Sequence, residues 1–158
     1  HPEDVERAVA AGEPPPAPRL ITGNERAFTV MVRNAMFQKV RLAARDRFEE
    51  LAALDAAAAK LTDPPTRPAM TAQAWEDALG AYWDEHDEIG IGPDARSPQL
   101  LLVDRRPPDV EGRAWRVRQV IDDPAGHRDW AIVALVDLDA SDAAGEPVIV
   151  TESFAPAG

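Results

Sequence analysis

The chain has 158 residues, no cysteine and a formal net charge of −11 at pH 7. Without cysteine it has no disulfide, thiolate metal site or thiol nucleophile, and its length points to one domain that buries about 68–70% of the surface its unfolded chain exposes. The charge opposes phosphate-backbone binding, which rests on neutralising phosphates with Lys and Arg.

The N-terminus, His1-Pro2-Glu3-Asp4, lacks a basic region followed by an apolar one, and no apolar run approaches the ~20 residues that span a bilayer. The expectation is a cytoplasmic chain with no membrane contact, cut from a longer protein. Residues 1–23 read as a linker or strap: a short helix over 2–11, stopped at Gly12, then Pro14-Pro15-Pro16-Ala17-Pro18, which favours polyproline II. Residues 24–158 read as one α+β domain. One long helix is predicted from Asn24 to about Leu61, because Val32, Met36, Val40, Ala43, Ala44, Leu51 and Leu54 recur at helical spacing. Asp63-Pro64-Pro65 stops it. Thr71 caps a second helix whose apolar positions Trp75, Ala78, Leu79, Tyr82, Trp83 and Ile89 share a face, with Gly90 as its stop.

Beyond Gly90 the period changes. Gln99–Asp104, Ala114–Ile121, Trp130–Leu138 and Pro147–Phe154 read as four strands separated by Arg106-Pro107-Pro108, Asp123-Pro124-Ala125-Gly126 and Ala143-Ala144-Gly145. Connections this short suit antiparallel neighbours, so the prediction is a four-stranded meander with the helices on one face. The third strand is apolar at both parities and should be central.

Chemistry is sparse. Lys39 and Lys60 are the only lysines and neither follows a glycine, so there is no Gly-Lys-Ser/Thr phosphate loop, and Ser97, Ser141 and Ser153 lack a nucleophile motif. His86, flanked by Asp84, Glu85, Asp87 and Glu88, is the best candidate for acid/base or metal chemistry, but adjacent helical residues diverge by ~100° and cannot all face one point, and a transition-metal site would need ligands from elsewhere in the chain. As the end of a helix, those four carboxylates oppose its dipole and call for a compensating arginine among Arg33, Arg96, Arg105 and Arg106. Arg96 is the favoured partner, since Gly90-Ile91-Gly92-Pro93 is short enough to fold it back. The structural charge cluster is therefore Asp84, Glu85, Asp87, Glu88 and Arg96, and the candidate pocket is Tyr82, His86, Trp115 and Arg118. Arginines gather over Arg33–Arg47 and again over Arg105–Arg118, against acidic stretches at 75–94 and 122–146, a pattern read as mutual pairing within the fold.

The run Met31-Val32-Arg33-Asn34-Ala35-Met36-Phe37, followed by Glu85-His86-Asp87-Glu88-Ile89-Gly90, Gly92-Pro93-Asp94-Ala95-Arg96 and Trp115-Arg116-Val117-Arg118-Gln119-Val120-Ile121-Asp122-Asp123-Pro124, resembles the domain of unknown function at the C-terminus of DEAD/DEAH-box helicases of superfamily 2 from high-G+C Gram-positive bacteria. The likeness runs from about Arg33 to Thr151. It implies a parent ATP-dependent helicase whose ATP, Mg and nucleic-acid sites lie upstream, and it transfers no catalytic residue and no cofactor to these 158 residues. The order of helices and meander also resembles the nuclear-transport-factor-2-like, cystatin-like cone, from which it departs in having no strand between Leu61 and Thr71.

Two functions compete on these grounds. One is a non-catalytic accessory domain that docks on the helicase core or a protein partner and meets nucleic acid mainly through that core. The other is a small-molecule binder or enzyme using a cone pocket, with His86 as acid/base and Tyr82 or Arg118 orienting the substrate.

Overall fold

The computed structural model of the chain describes residue 12 and residues 20–62 and 67–157. The predicted helix over 2–11, the polyproline run and the stop at Asp63-Pro64-Pro65 lie outside those residues. The described chain holds helices α1 (Glu25–Ala44), α2 (Phe48–Leu61), α3 (Ala72–Glu85) and α4 (Leu138–Ala144), strands β1 (Leu101–Asp104), β2 (Ala114–Val120), β3 (Trp130–Asp137) and β4 (Val148–Pro156), and three short 3₁₀ turns.

The predicted single helix is two. Asn24 caps α1 by accepting from the Ala27 N–H at 3.0 Å, and the helix ends where Asp46 takes a left-handed conformation, φ 55°. The amides of Arg45 and Arg47 close back on the Leu42 carbonyl, and Asp46 Oδ1 accepts the indole N–H of Trp83 at 2.8 Å. Aspartate is among the few residues that tolerate this conformation, and the apolar stripe resumes in phase at Leu51, so periodicity alone runs straight through the break. Helix α2 does stop at Leu61, where the Thr62 hydroxyl donates to the Ala59 carbonyl at 2.7 Å. Thr71 caps α3 as expected, accepting from the Ala74 N–H at 3.1 Å.

The sheet is a meander in the order β1-β2-β3-β4, every pair antiparallel. Its register opposes Trp115 to Val136 and Val117 to Ala134, so these residues share one face. That face joins Phe28, Val32 and Met36 of α1, Leu51 of α2, and Trp75, Leu79 and Tyr82 of α3 in a single core. Each such side chain contributes roughly 1.5–3 kcal/mol by leaving water. Strand β3 is buried at all positions but Val133, as befits the centre of the sheet.

Between β3 and β4 the expected turn is helix α4. Asp137 caps it by accepting from the Ala140 N–H at 3.0 Å, and Gly145, at φ 73°, ends it in a left-handed conformation that a side chain would strain. Ser141 Oγ donates to the Asp137 carbonyl at 2.6 Å and accepts from the Val148 N–H at 2.8 Å, tying the helix to the start of β4. The last residues of the predicted linker are docked on α4, for both the N–H and the hydroxyl of Thr22 donate to Asp142, at 3.0 and 2.8 Å.

A buried polar hub joins the layers. Asp55 of α2 is fully buried, and its carboxylate accepts from Lys39 of α1 at 2.8 Å, Trp75 Nε1 of α3 at 3.0 Å, and the N–H and hydroxyl of Thr151 in β4 at 2.9 and 2.8 Å. Nearer the surface the second arginine segment is paired, but mostly not with the acidic stretches its charge pattern pointed to: Arg113 reaches one of them, at Asp139, 2.6 Å away, whereas Arg105 meets Glu25 at 2.5 Å and Arg116 meets Asp109 at 2.6 Å and Glu152 at 2.8 Å. Among the described residues no helix is long and apolar enough to cross a membrane.

Candidate functional site

The helical end of α3 and the loop between β2 and β3 meet at one end of the sheet. Helix α3 stops at Glu85, with the His86 N–H closing on the Tyr82 carbonyl at 2.9 Å and His86 itself extended. The helix was expected to run to Ile89. It ends earlier because the following residues are used by the sheet: the Tyr82 hydroxyl donates to the Glu88 carbonyl, and the Gly90 N–H donates to the Asp122 carbonyl at 2.9 Å. Asp87 and Glu88 therefore lie past the last turn and do not oppose the dipole as a helix end would require.

The acidic segment is not compensated by arginine. Glu85 accepts the indole N–H of Trp130 at 2.5 Å, and among the described residues no ion pair joins Asp84, Glu85, Asp87 or Glu88 to a cation. Arg96 sits in the turn Pro93–Arg96, which aims it at α1: its guanidinium lies 5.0 Å from the Phe37 ring centroid and donates to Asn34 at 3.4 Å.

Of the four pocket candidates, the fold brings together two. Tyr82 and His86 have ring centroids 5.1 Å apart, and Tyr82 packs edge-on against Trp130 at 5.3 Å. Trp115 lies opposite Val136, six residues along β3 from Trp130 and so roughly 20 Å away, where it meets Phe28 edge-on at 5.2 Å. Arg118 pairs with Leu102 and Val133 on the opposite face of the sheet. Tyr82 and Trp115 are buried core residues.

The β2–β3 loop supplies what the sequence reading passed over. Asp123, with no side-chain exposure, accepts from the backbone N–H groups of His127 at 2.9 Å and Arg128 at 2.6 Å. This holds Arg128 in a left-handed conformation, φ 52°, and presents His127 and Asp129 on either side of it. Burial works against the charge of Asp123, but those two N–H bonds and His86 outweigh it and keep the carboxyl below the usual range. The His86 ring stands between two loop carboxylates, Nδ1 at 4.0 Å from Asp123 Oδ2 and Nε2 at 3.9 Å from Asp129 Oδ1. Donor atoms of His86, His127 and Asp129 all lie within 4.8 Å of one another. The trio was invisible to sequence spacing because His86 stands about forty positions before His127 and Asp129. The available signal was the run Asp123-Pro124-Ala125-Gly126-His127-Arg128-Asp129, a turn that carries a histidine between aspartates.

Burial also raises the Tyr82 phenol, helped by the negative charges of Asp123, Asp122, Asp129 and Asp87. Tyr82 therefore stays neutral and serves as a hydrogen-bond donor.

Away from this cluster a concavity of about 260 Å³ lies between the helices and the start of β4, lined by Ala35, Leu54, Ala57, Leu61, Pro147 and Ile149 among others. Leu61 at its rim is 53% exposed.

A family model described as a domain of unknown function, DUF3516, matches residues 1–154. No curated protein and no solved structure matches the chain.

Proposed function

On the premise that the chain belongs to the DUF3516 family of domains of unknown function, we propose that it is a non-catalytic docking module of a bacterial DEAD/DEAH-box helicase and that its occupant is the helicase core of the same protein. The observation that carries this reading is the burial of Tyr82 and Trp115. The aromatic residues that would line a ligand pocket in a cone fill the core instead, while apolar side chains stand exposed at the groove between α2 and β4. Two further features support it. The resemblance of separated blocks to the helicase C-terminal domain supplies the parent, and a net charge of −11 favours a basic protein surface, such as a nucleic-acid-binding core presents, over nucleic acid itself.

The test is a titration of this domain against the rest of its parent chain, expressed separately. Binding that weakens with salt and drops at least tenfold with Leu61→Glu supports the reading. A parent chain without superfamily 2 helicase motifs, or a Leu61→Glu variant that binds as well as the native domain, overturns it.

A further inference from the structure

We propose that His86, His127 and Asp129 form a binding site for a divalent transition metal of the zinc class, with Asp123 as the outer carboxylate that orients His86. The site is independent of the docking reading and lies at the opposite end of β4 from the groove.

The residue types suit the ion. Two imidazoles and a carboxylate are the set that borderline cations such as Zn²⁺ take where three protein ligands leave one coordination position to water. They arrive from two elements, His86 from the end of α3 and His127 with Asp129 from the β2–β3 loop, so an ion would clamp the loop to the helix.

Two observations beyond proximity point to a ligand. Asp129 Oδ1 is shielded from solvent and has no hydrogen-bond partner, although it faces His86 Nε2 at 3.9 Å. The side chain as a whole is 46% exposed, but an acceptor atom in that state is unfavourable unless something else satisfies it. The His86 side chain is only 6% exposed, and both ring nitrogens stop short of hydrogen-bond distance from their carboxylates. On its Nδ1 side His86 faces a carboxylate about an ångström beyond hydrogen-bond distance, on the side where a metal-bound histidine keeps the carboxylate that fixes its ring and tautomer. Asp123 occupies that place, itself held by the His127 and Arg128 amides. The same carboxylate thus positions the loop that carries the other two ligands.

A tetrahedral ion with bonds of about 2.0–2.1 Å separates its donors by roughly 3.3 Å. His86 and Asp129 are within about 0.6 Å of that separation, and His127, exposed at the surface, has a donor atom within 4.8 Å of both.

Zinc titrated into chelator-stripped protein by calorimetry should bind with one-to-one stoichiometry, and cobalt substituted for it should give the absorption of a four-coordinate nitrogen/oxygen site. His127→Ala, an exposed change that leaves the core intact, should weaken zinc at least tenfold and abolish the rise in Tm that zinc confers on the native domain. Asp123→Asn should weaken it 10–100-fold. The remaining histidine is His1, so His1→Ala should bind zinc as the native chain does. Equal zinc affinity in the native and His127→Ala proteins, or loss of binding in His1→Ala alone, overturns the proposal.

Discussion

Lys39 Nζ lies 2.8 Å from Asp55 Oδ1 with both side chains withdrawn from water, at 5% and 0% exposure. Such a pair survives burial only because the carboxylate's remaining lone pairs are met, here by Trp75 Nε1 and by the amide and hydroxyl of Thr151. Removing the acceptor leaves an unpaired ammonium and three orphaned donors at the junction of α1, α2, α3 and β4. Asp55→Ala should therefore cost about 3–5 kcal/mol in chemical denaturation. A loss below about 1 kcal/mol would show that the hub is solvated or rearranges at no cost.

The two glycines of α3 and the segment after it should respond in opposite directions. A Cβ on Gly90 would sit 2.6 Å from Asp122 Oδ2 and 2.8 Å from the Asp122 carbonyl oxygen, and the second of these cannot swing away without opening the Gly90–Asp122 hydrogen bond. Gly90→Ala should destabilise by about 1–3 kcal/mol. Gly80, inside α3, has open space where its Cβ would go, and Gly80→Ala should stabilise by about 0.5–1 kcal/mol. Thermal melts of the two variants decide both signs.

Asp142 governs part of the acid limb. Burial opposes its charge, but the amide and hydroxyl of Thr22 and the Arg113 guanidinium, itself shared with Asp139, more than offset this and hold its carboxyl below the usual range. The folded pKa is depressed, so its stabilisation is present above the unfolded value of ~3.9 and fades as pH falls through the folded one. Tm measured downward from about pH 5 should fall for the native domain and fall less steeply for Asp142→Asn. Parallel curves would remove Asp142 from the account.

Tyr82 is the chain's one tyrosine, so phenolate absorbance reports it alone. Burial first, then Asp123, Asp122, Asp129 and Asp87, raise its pKa, with the His86 ring against it. In metal-free buffer the absorbance should stay flat through the ordinary tyrosine range near pH 10 and rise only together with loss of the circular-dichroism signal. Folding is then weakened as pH climbs past the unfolded value, because the unfolded chain loses that proton first. A smooth titration centred near 10 in folded protein would place Tyr82 in water.

The meander, its strand bounds to within two residues, and the Thr71 cap were legible in the sequence because period-two apolarity and capping chemistry are local. What escaped was set by contacts between distant segments. The break at Asp46 is stabilised by Trp83, thirty-seven positions on, while the apolar stripe keeps its phase across it. Asp55 occupies a core position of α2 because three other elements bring donors to it, and its mark in the sequence was an aspartate on an apolar stripe, eluding a count that scores hydrophobic positions. The acidic run looked like a frustrated helix end and is instead a strip whose Glu85 and Glu88 serve Trp130 and Tyr82. Tyr82 and His86 do lie against one another, within one turn of α3 and its end. Trp115 and Arg118 were drawn in by residue type, and only the pairing register separates them by strand length and by face.

The Thr151 amide, bonded to Asp55 rather than to another strand, bears on how this protein meets copies of itself. An open sheet offers unsatisfied backbone groups along its first and last strands, and these template the addition of foreign strands and, in crowded cells, fibrillar growth. At Thr151 the Asp55 carboxylate occupies the place where an incoming strand would bond that amide, and Glu152 beside it is paired with Arg116. The middle of β4 is thereby hindered from taking on a strand, and the other edge, β1, is four residues long and ends in Asp104, too brief to hold a partner by main-chain bonds alone.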